Sequence, residues 1–119
     1  MNNRAIGTKY EEIAMEYLLK KGYSQLGKNY YSPYGELDLI CKDEKKDELV
    51  FVEVKYRKDL RYGSGLESIT VSKQKKLIKT ATIYLKEKKI KDIPYRFDII
   101  SILGDKIEHI ENAIWGDCL

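Results

Sequence analysis

The sequence predicts an α/β protein of element order α-β-β-β-α-β-β, and three observations carry that expectation. Gly35–Cys41 and Glu48–Arg57 alternate side-chain character as paired strands do. Two other segments, Arg4–Lys20 and one opening at Thr70 or Ser72, repeat apolar residues at helical spacing. A chain of 119 residues that is 43% hydrophobic allows a single domain, residues 1–119, with one modest core.

Ile6, Tyr10, Ile13, Ala14, Tyr17 and Leu18 form the stripe of the first helix, which Gly22 stops. Glu11 lies in line with Ala14 and Leu18 at the edge of that stripe, and Glu12 points further toward solvent. A first strand covers Ser24–Tyr31, and Ser32-Pro33-Tyr34-Gly35 is a turn. Tyr23, Tyr30, Tyr31 and Tyr34 have two readings: packing against the sheet, or stacking on exposed bases.

The next two strands are joined by the polar run Lys42–Asp47, suited to a hairpin loop. A symmetric hairpin puts Leu37 opposite Val54, Leu39 opposite Val52 and Cys41 opposite Val50 on an apolar face. The other face then pairs Asp38 with Glu53, Glu36 with Lys55 and Ile40 with Phe51. A slip of one residue would mix the faces, so the pattern supports this register, while a slip of two would keep the faces and put Asp38 diagonal to Glu53. Glu53 and Lys55 share a face about 6.6 Å apart along their strand. Carboxylates directly across an antiparallel pair repel, and a shared proton or a divalent cation relieves this. Oxygen ligands of this kind suit Mg²⁺ or Mn²⁺. Ordinary cross-strand charges on a surface face are the competing reading.

Beyond Arg57, the loop Lys58–Gly65 carries basic and aromatic residues, and Arg57, Lys58 and Arg61 either contact phosphates or are simply solvated. In the second helix, Val71, Leu77, Ile78, Ala81, Tyr84 and Leu85 make the buried stripe. Lys73, Lys75, Lys76 and Lys79 crowd its first turns, where the helix dipole disfavours cations. An external anion or a generic solvated face accounts for them. Pro94–Ile102 is a strand on which Arg96 and Asp98 form a structural pair, and Lys106–Ile110 is an edge strand. His109 reads as structural, and Asn112–Trp115 as a closing turn.

Charged residues make up 34% of the chain but net only +3, so charge alone does not declare a nucleic-acid binder. Cys41 and Cys118 are too few for a disulfide framework. No apolar run approaches membrane-spanning length and no signal-peptide core is visible, so the expectation is a cytoplasmic protein without a membrane partner.

Gly35-Glu36-Leu37-Asp38-Leu39-Ile40 followed by Phe51-Val52-Glu53-Val54-Lys55 resembles the D…ExK core of the PD-(D/E)xK nuclease superfamily. More narrowly, the chain resembles the YraN family, small uncharacterised bacterial proteins related to archaeal Holliday-junction resolvases. The match extends to Gly7–Leu18, Gly22-Tyr23, Asn29, Ser72-Lys73 through Leu85, Arg96-Phe97-Asp98 and His109–Ala113. The resemblance implies a restriction-endonuclease-like fold, a mixed central sheet flanked by helices. It implies a Mg²⁺- or Mn²⁺-dependent endodeoxyribonuclease, with selectivity for branched DNA and a homodimeric assembly. Asp38 and Glu53 would bind the metal, Lys55 would orient water or stabilise the phosphate, and Glu11 would complete the catalytic site. A catalytically weak nucleic-acid-binding module on the same fold is the alternative. An interaction protein that kept the fold alone fits less well, because Asp38, Glu53 and Lys55 are all present.

Replacing Lys73 and Lys76 together with Ala is expected to weaken DNA binding and flatten its salt dependence, because fewer counterions are released. Fluorescence anisotropy titrations at several salt concentrations measure this. An unchanged slope assigns both lysines to the solvated face.

Overall fold

A computed structural model describes residues 3–57 and 69–114, and the side chains of residues 3–6 are left out of that description. Ile6's side chain, Lys58, Arg61 and the rest of the basic loop, Trp115 and Cys118 lie outside the described residues. The elements in chain order are α1 (Asn3–Lys20), β1 (Tyr23–Ser32), β2 (Gly35–Asp43), β3 (Glu48–Arg57), α2 (Val71–Glu87), β4 (Tyr95–Leu103) and β5 (Lys106–Ile110). The strands form one five-stranded mixed sheet in sequence order. Neighbours are antiparallel except β3 and β4, which are parallel and joined through α2. A parallel pair needs such a crossover because a tight turn cannot return the chain to the same end.

Alternation along the central strands sorts the core into two layers. On one face, Ala14 and Leu18 of α1 pack on Leu39, Cys41, Val50, Val52, Ile100 and Ile102. On the other, Leu77, Ala81 and Tyr84 of α2 pack on Ile40, Leu49, Phe51 and Phe97. Val71, expected in the buried stripe of α2, is 57% exposed, because at helical spacing it falls off the line of Leu77, Ala81 and Tyr84. Thr70 rather than Ser72 is the N-cap, its hydroxyl accepting from Lys73 N–H at 3.1 Å. Gly22, at φ 97°, supplies the left-handed residue between α1 and β1.

The β2–β3 hairpin has the expected register from Leu39↔Val52 to Asp43↔Glu48. β3 has its expected bounds, and β2 runs further toward the turn than expected, as far as Asp43, which is buried with its Oδ1 accepting from Lys45 N–H and Lys46 N–H. Beyond Leu39 the expected pairs Leu37–Val54, Asp38–Glu53 and Glu36–Lys55 are not formed as ladder pairs. There β2 continues with β1 as far as Ser32↔Gly35, while β3 continues with β4 as far as Arg57↔Leu103. The expected face assignment fails at the same point: Leu37 packs on the α2 side and Leu39, two residues on, packs on the α1 side. Asp38 lies where the alternation breaks, and its Oδ2 accepts from Val54 N–H at 2.9 Å in place of a ladder bond. Opposed carboxylates are avoided by this rearrangement.

At the other end of the hairpin a buried guanidinium ties the strands together. Arg96 on β4 donates to both oxygens of Asp98, at 3.0 and 3.2 Å. It also donates to Asp43 Oδ2 at 3.2 Å, Glu111 Oε1 at 3.2 Å and the Tyr23 hydroxyl at 2.7 Å. Asp98 further meets His109 Nε2 at 2.7 Å and accepts from Asn112 N–H at 2.9 Å. Burial alone would raise the Asp98 pKa, but His109, Arg96 and Asn112 hold it below its ordinary value.

Arg96→Ala should therefore destabilise the fold by about 3–5 kcal/mol, because it strands buried carboxylates without a counter-charge. Arg96→Lys should recover little of this, since an ammonium cannot span both Asp98 oxygens as the fork does. Urea unfolding of the three proteins checks both statements.

Candidate active site

The site forms where β2 and β3 part. Asp38 is held at the edge of the gap by Val54 N–H. Above it, on the α1 side of the sheet, Glu11 and Glu36 converge. One carboxylate oxygen from each of Glu11, Glu36 and Asp38 lies within 4.8 Å of the others. Glu11 is placed by α1, whose Ala14 and Leu18 anchor the helix on the sheet. A stack between Tyr10 and Tyr56, with ring centroids 4.2 Å apart, fastens the neighbouring residue to β3.

Asn29 positions two of these carboxylates. It sits at φ 51° within β1, a conformation asparagine tolerates better than most residues. With its amide nitrogen toward the acids, it donates to Glu36 Oε1 at 2.8 Å and to Glu11 Oε1 at 2.9 Å. The opposite orientation would set its oxygen against two carboxylates, so the network selects this one. The sequence reading assigned Asn29 no role. The family resemblance marks Asn29 as a matching position, but its role shows only once its left-handed backbone and both partners are known.

Glu53 and Lys55 turn to the α2 side, as their alternation with Phe51 requires. Glu53 is buried, and its Oε1 lies 3.6 Å from Lys55 Nζ and 3.5 Å from Lys73 Nζ. Lys73, expected to meet an external anion or to lie on a solvated face, thus reaches into the site from the first turn of α2. Lys76 is exposed on the same helix, with its Cβ facing the β1–β2 turn at Gly35, and Arg57 ends β3 beyond Lys55. Asp38 links the two groups of acids. Burial first, and then the charge of Glu53, push its pKa up to about 8. Burial and Glu36 likewise raise Glu11, against the hydrogen bond from Asn29.

Clustered carboxylate oxygens with one acid driven toward protonation are a donor set for a hard divalent cation, so the residues fit Mg²⁺ or Mn²⁺. Glu11, Glu36 and Asp38 offer oxygens within 4.8 Å of one another, and Glu53 adjoins Asp38 electrostatically from the opposite side. The expectation that Glu36, Asp38, Glu53 and Lys55 share one face is corrected: Glu36 joins Glu11, Glu53 joins Lys73, and Asp38 sits between. The physical reason is the break in alternation at Asp38.

A model of the uncharacterised protein family UPF0102 matches residues 10–102. The chain is 44% identical to a UPF0102 protein of Fusobacterium nucleatum, covering 98% of this chain and 97% of the relative. It is 47% identical to one of Syntrophomonas wolfei, covering 93% and 98% respectively. A UPF0102 protein of Clostridioides difficile is 43% identical, with coverage of 95% and 99%.

The raised carboxyl of Asp38 has a defined consequence for stability. Its folded pKa, about 8, lies above its ordinary 3.8, so the folded state holds the proton more tightly. This contribution is complete below about pH 4 and is lost as the pH rises through about 8. In chelator, parental stability minus that of Asp38→Asn should fall steadily across this window, and added Mg²⁺ or Mn²⁺ should counter the fall. Urea denaturation from pH 5 to pH 9 measures the difference.

Proposed function

The chain belongs to the UPF0102 family, also called YraN, and from that premise we propose a metal-dependent nuclease that hydrolyses phosphodiester bonds in DNA, selective for branched structures. The reading places the chain in the PD-(D/E)xK superfamily, on a restriction-endonuclease-like fold. The observation that carries it is Asp38, lodged where β2 and β3 separate, with Glu11 and Glu36 within 4.8 Å and Glu53 raising its pKa from the other side. Carboxylates perturbed by burial and by one another, gathered at an opening, are a physical mark of a functional site.

Asp38 and Glu53, with Glu11 and Glu36 beside them, would hold Mg²⁺ or Mn²⁺. When bound, such an ion stabilises charge on the phosphate and lowers the pKa of a water. Lys55, two residues beyond Glu53, holds a positive charge where a phosphate oxygen or an attacking water must be oriented. Asn29 keeps Glu11 and Glu36 from swinging apart. Arg57, Lys73 and Lys76 supply positive charge around the opening and position the backbone of the nucleic acid without reading its sequence.

One observation favours the second reading, a nucleic-acid-binding module with little turnover. Glu53 already carries two ammonium partners, Lys55 and Lys73, and is neutralised without any metal. Cleavage distinguishes the two readings.

Duplex, flap, single-stranded and four-way-junction DNA should be assayed with Mg²⁺ and with Mn²⁺ under single-turnover conditions. The parent should cut at least one branched substrate. Asp38→Asn should lose cation affinity and cleavage while keeping DNA affinity. Lys55→Ala should keep cation affinity and lose turnover, the pattern of an interaction used in the transition state. Cleavage by Asp38→Asn at the parental rate in saturating Mg²⁺ would rule out this metal site. Binding by the parent without cleavage of any substrate would leave the module.

A further inference from the structure

Among the described residues the aromatic side chains have partners, with one exception beside the acidic cluster. Tyr10 stacks on Tyr56, Tyr30 meets Tyr84 edge-on, Tyr23 bonds Arg96 and Tyr34 lies under Lys79. Tyr31 makes no hydrogen bond, ion pair or ring contact among the described residues, and it is 64% exposed. That exposure leaves the ring open to a partner. A large exposed aromatic side chain costs hydration free energy that the fold itself does not recover.

Its position is set by the strand. Tyr30 points to α2 and packs on Tyr84. Alternation then sends Tyr31 to the α1 face. There it walls a cavity of about 230 Å³ together with Gly7, Thr8, Glu11, Asn29 and Glu36. Tyr31 pairs directly with Glu36 across β1 and β2, so the ring and the acidic cluster are held in fixed relation. The opposite wall is kept low by Gly7, a helical glycine with nothing among the described residues within 4 Å of the place its Cβ would occupy. Glycine within a helix is less stable than alanine there. Among the described residues no neighbour requires it here, and its effect is to leave the cavity open beside the ring. The space is smaller than the roughly 300–1,000 Å³ of pockets for drug-sized ligands and suits one flat ring system.

We propose that Tyr31 is a stacking platform for an unpaired nucleobase adjacent to the phosphate engaged at the acidic cluster. The inference rests on the nuclease reading and deepens it by naming the substrate class: nucleic acid with an unpaired nucleotide next to the cut. A base is uncharged, so the carboxylates of Glu11 and Glu36 do not repel it as they would a bare phosphate. Its amino edge can donate to a carboxylate, and its face meets the ring. A base inside an intact duplex is covered on both faces and offers none to Tyr31. Flaps, single strands and opened junctions do.

The test uses the full chain in Ca²⁺, with a paired duplex and the same duplex bearing a single-stranded flap as fluorescent probes. Tyr31→Ala should weaken flap binding by about tenfold or more and leave duplex affinity unchanged. Tyr31→Phe should bind the flap as the parent does, since the ring and not the hydroxyl carries the contact. With 2-aminopurine at the first unpaired position, the parent should quench fluorescence and Tyr31→Ala should not. Calorimetric Mn²⁺ affinity of Tyr31→Ala should match the parent, which shows the carboxylate cluster intact. Equal loss on duplex and flap, or parental flap binding and quenching by Tyr31→Ala, overturns the stacking platform while a cleaving parent keeps the nuclease reading. A parent that binds neither probe overturns both.

Discussion

The separation of β2 from β3 at Asp38 is the constraint on which the functional end of this protein depends. Above Leu39 and Val52 the hairpin is an ordinary antiparallel ladder. Below it the carboxylate of Asp38 takes the Val54 N–H that a backbone carbonyl would otherwise accept. A backbone donor is satisfied and two carboxylates avoid facing each other directly. The opening made this way admits Glu11 and Glu36 from the α1 side and leaves Glu53 and Lys55 on the α2 side. The same residue therefore ends a secondary structure and founds a site.

Two polar centres occupy opposite ends of the hairpin, and their electrostatics differ in kind. Around Arg96, one guanidinium meets Asp98, Asp43 and Glu111, and Asp43 and Asp98 are held below their ordinary pKa. Around Asp38 acids accumulate faster than cations, and the carboxyl is driven upward by burial and by Glu53. The first arrangement is complete without a ligand and holds four strands and the segment after β5 in register. The second is relieved by a proton or by a cation. This contrast separates a structural ion network from a candidate site, although both are clusters of acids on the same sheet. Asp98, His109 and Glu111 also lie close enough together to ligate a metal, yet Arg96 and the Asn112 N–H already serve the Asp98 carboxylate.

Lys73 shows how helix placement shapes that second centre. A cation in the first turn of a helix opposes the helix dipole. On α2 this cost is offset by the buried carboxylate of Glu53, 3.5 Å away on β3. The helix N-terminus, capped by Thr70, is thereby tied to the strand that carries the ExK residues. Tyr10 on Tyr56 does the same for α1. Each helix is fastened to β3 close to the residue it brings to the site.

The sequence by itself determined the local order of the chain: where helical and strand periodicities run, the hairpin register from Leu39 toward its turn, and Glu11, Asp38, Glu53 and Lys55 as residues to watch. These depend on side-chain alternation and spacing within short segments, which a sequence states directly. Only the tertiary structure decided where that register ends, that Leu37 and Leu39 face opposite layers, and that Glu36 joins Glu11 rather than Lys55's face. It also decided that Asn29 bridges two acids, that Lys73 reaches Glu53 and that Arg96 gathers partners from Tyr23 to Glu111. These contacts join residues far apart in the chain, so they are set by the divergence of two strand pairs and by the angle at which each helix docks. Periodicity shows which side a residue faces along its own segment. It carries no information about which distant charge will be waiting there.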